Sequence, residues 1–479
     1  MAAGEKDKKD TGSRDGGTFS LKAPPRGLAL LLLVGPSLIW VSEYIGSGEV
    51  IIATRTGAIF GVSVLWAVIC GIFLKYWIGM AGARYTVTTG EGMIDLFARM
   101  PGPRNWAVWL IMVAQLAAAA VSIGSVASAA GAFLSRILPL KPYLAGWLVT
   151  VLAFVISWRG EFRWLKLTMS ILVAIVIAGV LYVAIHAIPG AGSFAGSLIP
   201  HYPEPSGWAV DKGLAGNPWK EILPLLGWGA GGFASQVWYS YWVIGAGYGM
   251  AEKDSFGKSA DRVRLAAVGE KEAGMIRGWT RMVTVDATLA MIIGIVATAG
   301  FLIAGAGILN PAQIVPDGPE VAIQLSSLFS SRWGEFGGFL FLLGGSAALI
   351  STQIGQLAGW PRLLSDTIRI TFPMAEKKFS GKTRFRFLLI LLSLASMTII
   401  YTLGYKPVAL VKFAAVFEGL LLTPLQALVV FTGLYFVMPR FFRPEIGRML
   451  RPGWLIGAGL ILAALFFGYF CIAELPSIL

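Results

Sequence analysis

Apolar residues gather in eleven long runs along the chain, near 28–55, 62–83, 105–131, 142–158, 165–187, 220–249, 282–308, 335–356, 387–404, 407–437 and 453–475. A helix of about 20 apolar residues crosses a hydrocarbon core roughly 30 Å thick, so the pattern predicts an all-α membrane protein with about 11 transmembrane helices. The fourth run is short and tilts or extends to reach both faces. Two runs are interrupted. The first carries Gly46-Ser47-Gly48-Glu49 at its middle, and the sixth carries Gly227-Trp228-Gly229-Ala230-Gly231-Gly232. Glycine clusters and a carboxylate at bilayer depth predict unwound backbone. Unwound backbone is tolerated in lipid only where protein or a cavity surrounds it.

The interruptions open two sets of five runs. Five is odd, so the sets face opposite ways, with the eleventh helix appended. This is the LeuT-type five-plus-five inverted repeat, in which helices 1 and 6 are broken at the midplane and build a substrate site there. The expected organisation is a disordered cytoplasmic tail over 1–26 and a transmembrane transporter domain over 27–475. Repeat one spans 28–187, repeat two 220–437, and the extra helix 453–475. The largest loops, 188–219, 250–281 and 357–386, are too short for an independent soluble domain.

Charge sets the topology. The chain carries 39 Lys and Arg against 26 Asp and Glu, for a net charge of +13. Most of the basic residues lie in the N-terminal tail and in the loops after runs 2, 4, 6, 8 and 10. That asymmetry places the N-terminus in the cytoplasm and the C-terminus outside, in a bacterial inner membrane, with the lipid bilayer as partner. It removes any need for a nucleic-acid reading. At 56% hydrophobic and 14% charged, with a mean hydropathy of +0.71, the chain is far from an ordinary soluble domain.

Little else carries chemistry. Cys70 and Cys471 are far apart in predicted helices and read as buried thiols, not as a disulfide or a metal cluster. His186 and His201 sit near or in outer loops, so no metal ligand and no cofactor is expected. Neither a metalloprotease helix, a nucleophile elbow nor a Walker loop is present, so an enzyme or a primary pump is not expected. Intramembrane charges stand out. Glu43 and Glu49 flank the first interruption, and Arg55 lies further along. Asp286 and Glu418 read as buried pairs, helix-end charges or an ion path, while Lys75 is expected to snorkel to the cytoplasmic face. The aromatic group Trp238, Tyr239, Tyr241 and Trp242 reads as packing.

The segment Gly35 to Gly90 resembles the Nramp family of proton-coupled divalent-metal transporters. Gly35-Pro36-Ser37, Gly57-Ala58-Ile59-Phe60-Gly61, Leu65-Trp66, Ala83-Arg84 and Thr89-Gly90 follow its pattern without a gap, and Ser351-Thr352, Gly355 and Ala358-Gly359 are similar to its eighth helix. The resemblance implies the LeuT-type fold. The family's ligands do not carry over. Gly46 stands where the metal-binding Asp is expected and Glu49 where the Asn is. Ser235 and Ser240 replace two histidines, and Phe233 the thioether. Gln115, Ser122 and Ser125 replace acidic residues of helix 3, and Val416 a glutamine of helix 10.

Without those ligands, a soft transition-metal site is not expected. The N-terminal ends of the second half-helices offer free N–H groups and partial positive charge, and Ser47 and Ser235 offer hydroxyls. The expected substrate site is therefore Gly46, Ser47, Gly48 and Glu49 with Ala230, Gly231, Gly232, Phe233, Ala234 and Ser235. The expected function is secondary transport of a small inorganic anion, bicarbonate for choice, by alternating access. The alternative is a hard divalent cation such as Mg²⁺ or Mn²⁺. Glu43, Glu49, Ser351 and Thr352 are the coupling-ion candidates, with Na⁺ coupling and uncoupled flux both open. Glu49 has three readings: a helix-end cap, a coupling-ion or proton site, or a ligand to a substrate cation.

Overall fold

A computed structural model describes residues 21–25, 27, 35–158, 162–187, 196–214, 216–252, 256–317 and 320–477. Most of the N-terminal tail, and the start of the first apolar run, lie outside the described residues. The described chain is almost wholly helical. The first helix is split into α1a (Pro36–Tyr44) and α1b, a π turn over Gly48–Ala53 that continues as Thr54–Phe60. Then follow α2 (Leu65–Thr89), α3 (Trp106–Leu134), α4 (Pro142–Trp158) and α5 (Phe162–Ala187). The second set opens on another split helix, α6a (Trp219–Trp228) and α6b (Phe233–Ala246). It continues with α7 (Glu270–Ala304), α8 (Gly334–Thr371), α9 (Gly381–Leu403) and α10 (Pro407–Phe441), and α11 (Trp454–Tyr469) closes the chain.

Seven of these, α2, α3 and α7 to α11 with their terminal turns, are long and apolar enough to cross a membrane unbroken. The two split helices and the 17-residue α4 are individually too short. The chain has the LeuT-type five-plus-five inverted repeat, with α1 and α6 broken at corresponding positions.

Helix ends follow ordinary capping chemistry. Pro36 occupies the first turn of α1a, where its missing N–H costs nothing. The Gly35 and Ser37 amides and the Ser37 hydroxyl donate to Asp286 of α7 at 3.1, 2.9 and 2.8 Å. Asp286 is thus a helix-end charge, supplied from another helix. Gly90 ends α2 at φ +83°, a left-handed cap that glycine takes without strain. Helix α1b meets the end of α7 at Gly57 and Gly305. A Cβ on either would collide with the other helix's backbone, so both positions need glycine.

Two segments depart from expectation. Helix α7 begins at Glu270, a dozen residues before its apolar run, because Glu272 accepts from the Gly269 amide and starts the helix in the charged loop. Helix α8 runs on to Thr371, so the first half of the expected 357–386 loop is helix. Arg362, Asp366 and Arg369 fall within that expected loop, yet Asp366 and Arg369 are buried, and Arg369 pairs with Asp95 at 2.7 Å.

Candidate functional site at the two helix breaks

A broken helix leaves carbonyls without donors on one side and amides without acceptors on the other. Both breaks are buried, so each orphan group needs a partner from the protein or a ligand. The partners can be named.

The break in α1 is narrower than the expected Gly46–Glu49. Only Ile45 and Gly46 leave the helix; Ser47 is already helical (φ −63°, ψ −26°), and Gly48 and Glu49 lie inside the π turn. On the carbonyl side, Thr352 Oγ1 of α8 donates to Glu43 O at 2.6 Å and to Ile45 O at 3.3 Å. Ser351 Oγ donates to Ser42 O at 2.6 Å. On the amide side, Gly46 N donates to Glu49 Oε2 at 2.8 Å. A Cβ at Gly46 would run into Thr352 Oγ1, so glycine is required for the two helices to close.

The break in α6 covers Gly229–Gly232, with Ala230 and Gly231 left-handed at φ +59° and +73°. An alanine held there costs about 1–2 kcal/mol. On the carbonyl side, Lys75 Nζ of α2 donates to Gly231 O at 2.9 Å and to Gly227 O, and Gln236 Nε2 donates to Ala230 O at 2.7 Å. On the amide side, Ala234 N donates to Glu418 Oε1 at 2.5 Å. Glu418, like Glu49, sits in a π turn, here Ala415–Leu420 of α10. Such turns re-aim a side chain without ending the helix. A Cβ at Gly232 would overlap the Glu418 carboxylate.

The breaks are tied together by Glu43, whose Oε2 accepts from Ser235 Oγ at 2.7 Å; Trp40 Nε1 donates to the same hydroxyl at 3.2 Å. The sequence-expected residues Glu43, Gly46, Glu49, Ala234, Ser235, Ser351 and Thr352 therefore do meet. Phe233 packs edge-on against Phe97, 5.6 Å between centroids, and its carbonyl accepts from Gln426 Nε2 at 3.1 Å. Gly48 lies against Trp228. The Ser47 hydroxyl is buried without a hydrogen-bond partner.

Two expectations are corrected, and the place of an expected loss is supplied from elsewhere. Lys75 does not snorkel: it is fully buried, its ammonium on the carbonyl end of α6a. The half-helix starts that were to receive a free anion already have a carboxyl on one amide each, Glu49 on Gly46 and Glu418 on Ala234. No glutamine occupies Val416, but Gln426 of α10 reaches α6b instead. Lys75 and Glu418 were the functional neighbours that sequence reasoning left outside the site. The available signal was a lysine and a glutamate at bilayer depth, where an ionisable group needs a partner. Trp238 packs against Trp360, as expected for a packing aromatic. Gln115 of α3 is buried with neither amide atom paired. Among the described residues, no three His, Cys, Asp or Glu side chains converge as they would on a metal ion.

Both ends of the site are shut by ion pairs. On the α1b side, Glu221 of α6a accepts from Arg55 at 2.9 and 3.0 Å and from Lys412 of α10 at 2.9 Å. Arg55 also donates to Pro316 O at 2.7 Å. At the other end, Arg99 pairs with Glu91 at 2.5 Å and Arg369 with Asp95 at 2.7 Å. The Ala260 amide and the Ser259 hydroxyl, from the loop after α6b, complete the closure on Glu91 and Asp95. The conformation is occluded.

Split helices facing each other inside a five-plus-five repeat define a LeuT-type transporter fold. Similarity to known proteins agrees. Over 95% of the chain the structure superposes on the manganese transporter of Eremococcus coleocola (TM-score 0.62, 17% identity, 91% of that chain). Over 91% it superposes on Mhp1, a nucleobase-cation-symport-1 family transporter (TM-score 0.55, 15% identity, 91% of that chain). Residues 37–211 match the model of the Nramp family, natural resistance-associated macrophage protein-like. The divalent metal cation transporter MntH of Chromohalobacter salexigens is 26% identical over 211 residues, 43% of this chain and 48% of that one. The chain thus spans about half the length of that curated relative. The likeness to the Nramp family thus lies in residues 37–211, the first repeat and the segment that follows it.

Proposed function

We propose that the protein is a secondary transporter of a hard divalent cation, Mg²⁺ or Mn²⁺, working by alternating access about the two breaks. One observation carries the reading. Three buried carboxyls, Glu43, Glu49 and Glu418, face the breaks, and at each half-helix N-terminus that would have received an anion one amide already donates to one of them. A further anion would meet carboxylates where the sequence had promised bare amides. The names of the relatives, divalent metal and manganese transporters, point the same way. Bicarbonate therefore gives way to the cation alternative.

The donors around the breaks are oxygen only: the Glu43, Glu49 and Glu418 carboxyls, which do not converge on one point in this conformation, the Ser47 and Ser235 hydroxyls, and the carbonyls of the unwound segments. Oxygen ligands suit hard cations, and Mg²⁺ keeps several of its waters, so two carboxylates and a few hydroxyls or carbonyls suffice. No thioether or imidazole favours a softer metal. In the occluded form the carboxyls are turned to backbone amides. Loading requires the bundle of α1 and α6 to rock against α3, α4, α8 and α9, releasing Glu49 or Glu418 to the ion.

Proteoliposomes loaded with a Mg²⁺-responsive dye test this, with Mn²⁺ in a second series and labelled bicarbonate in a third. Saturable divalent uptake, lost in Glu49→Gln and Glu418→Gln, is the expected result. Bicarbonate uptake with no divalent movement would refute the reading.

A further inference from the structure

Lys75 has no place in the cation pathway as described, yet it is among the most completely buried charged side chains of the molecule. Its Nζ lies on Gly227 O and Gly231 O, which bracket the C-terminal end of α6a. That end carries the negative pole of the half-helix and carbonyls left over by the break. The carboxylates of Glu418 and Glu49 act on the ammonium electrostatically, and the Phe467 ring lies 5.3 Å from it. Carbonyl oxygens in contact, an aromatic face beside them and acidic side chains further out are surroundings that suit a bound monovalent cation. Here the cation arrives on a side chain.

The other carbonyl end tells the same story. The oxygens of Ser42, Glu43 and Ile45, exposed by the break in α1, are met by the Ser351 and Thr352 hydroxyl hydrogens. Those hydroxyls were candidates to bind Na⁺ through their oxygens. They are instead turned as donors to the carbonyls that such an ion would share. At both breaks the loosened carbonyls have donors within the protein.

We infer that Lys75 is a tethered substitute for a monovalent coupling cation: its ammonium fills a cation site at the carbonyl end of α6a, so the transporter works without Na⁺ or K⁺, and removing the side chain creates a site for a free monovalent ion. This goes beyond the divalent reading and does not depend on it, since the readouts below involve no divalent ion.

The experiment uses the purified full chain in detergent. Thermal unfolding is followed in NaCl, KCl, ethylammonium chloride and choline chloride at one ionic strength, beside equilibrium binding of labelled Na⁺. Wild type and Lys75→Arg are expected to unfold at the same temperature in all four salts and to bind no labelled Na⁺ saturably. Lys75→Ala is expected to lose stability in choline, to regain most of it in Na⁺ or ethylammonium with a saturable dependence, and to bind a single Na⁺ per chain. Lys75→Ala behaving alike in all four salts, with no bound Na⁺, would overturn the inference. So would saturable Na⁺ binding by wild type. Should Lys75→Ala fail to fold, Lys75→Gln keeps most of the volume and carries the same test, and the wild-type measurement stands on its own.

Discussion

The closure built on Glu221 makes a quantitative claim. Glu221 joins three helices, accepting two hydrogen bonds from Arg55 of α1b and one from Lys412 of α10, and both Glu221 and Arg55 are buried. Glu221→Gln keeps the shape and removes the charge. Two cations then share a buried pocket with one exposed carboxylate, Asp317, 3.7 Å from Arg55. Breaking a buried ion pair from one side costs about 3–5 kcal/mol, because the surviving charge is left uncompensated. An open conformation that lets Arg55 reach water avoids that cost. The open-to-closed ratio should therefore rise about 100-fold at the lower bound, at 1.4 kcal/mol per decade, and at least about tenfold once relaxation and water entry are allowed for.

Thr54→Cys, in a background of Cys70→Ser and Cys471→Ala, reports this. Thr54 is fully buried in α1b with its hydroxyl unpaired, so the exchange sacrifices no hydrogen bond. Maleimide labelling of this cysteine in detergent should accelerate by the same factor in Glu221→Gln. Arg55→Gln/Glu221→Gln together should slow it again, since the stranded guanidinium is gone. Equal labelling rates with and without Glu221→Gln would refute the assignment of this network as a gate.

Other changes have calculable outcomes. Ala230→Gly relieves about 1–2 kcal/mol of left-handed strain and loses about 0.4–1 kcal/mol to a more flexible unfolded chain, so the melting temperature should rise slightly. Thr352→Val keeps the volume but leaves the Glu43 and Ile45 carbonyls without that donor, at about 1–3 kcal/mol, and should lower the melting temperature while leaving expression intact. Gly46→Ala should be more damaging alone than in Gly46→Ala/Thr352→Ala, because the second change removes the atom its Cβ strikes; expression and melting of the pair against the two single variants decide it.

The parts of this fold that were legible in the sequence were those ruled by local backbone physics. Unwound backbone needs glycine and a polar neighbour, so both breaks could be placed, although only Ile45 and Gly46 are unwound in the first. The site was harder to read because its contacts are long-range. Lys75 meets Gly231 across 156 positions and Glu418 meets Ala234 across 184, and nothing near either residue announces its partner. Charge near a helix end was read as loop or snorkel, since a local window cannot show a counter-charge elsewhere. The same blindness truncated α8 before Asp366 and Arg369, whose partner Asp95 lies on the short helix after α2. The anion reading failed for the same reason. Free amides were inferred from the break, and the carboxylates that fill them come from the π turns of α1b and α10.

On the function proposed above, the capped breaks bear on the transport cycle itself. A carrier whose orphan backbone groups wait for cargo is frustrated when empty, so its return stroke is slow and exchange outpaces net movement. Here Glu49, Glu418, Lys75, Ser351 and Thr352 give the broken backbone partners from within the protein. The vacant carrier is at rest when shut, and its homeward step needs no passenger. Such a machine is suited to filling or draining a compartment down a gradient, and tracer swapped against unlabelled ion should travel no faster than ion moving into an ion-free space.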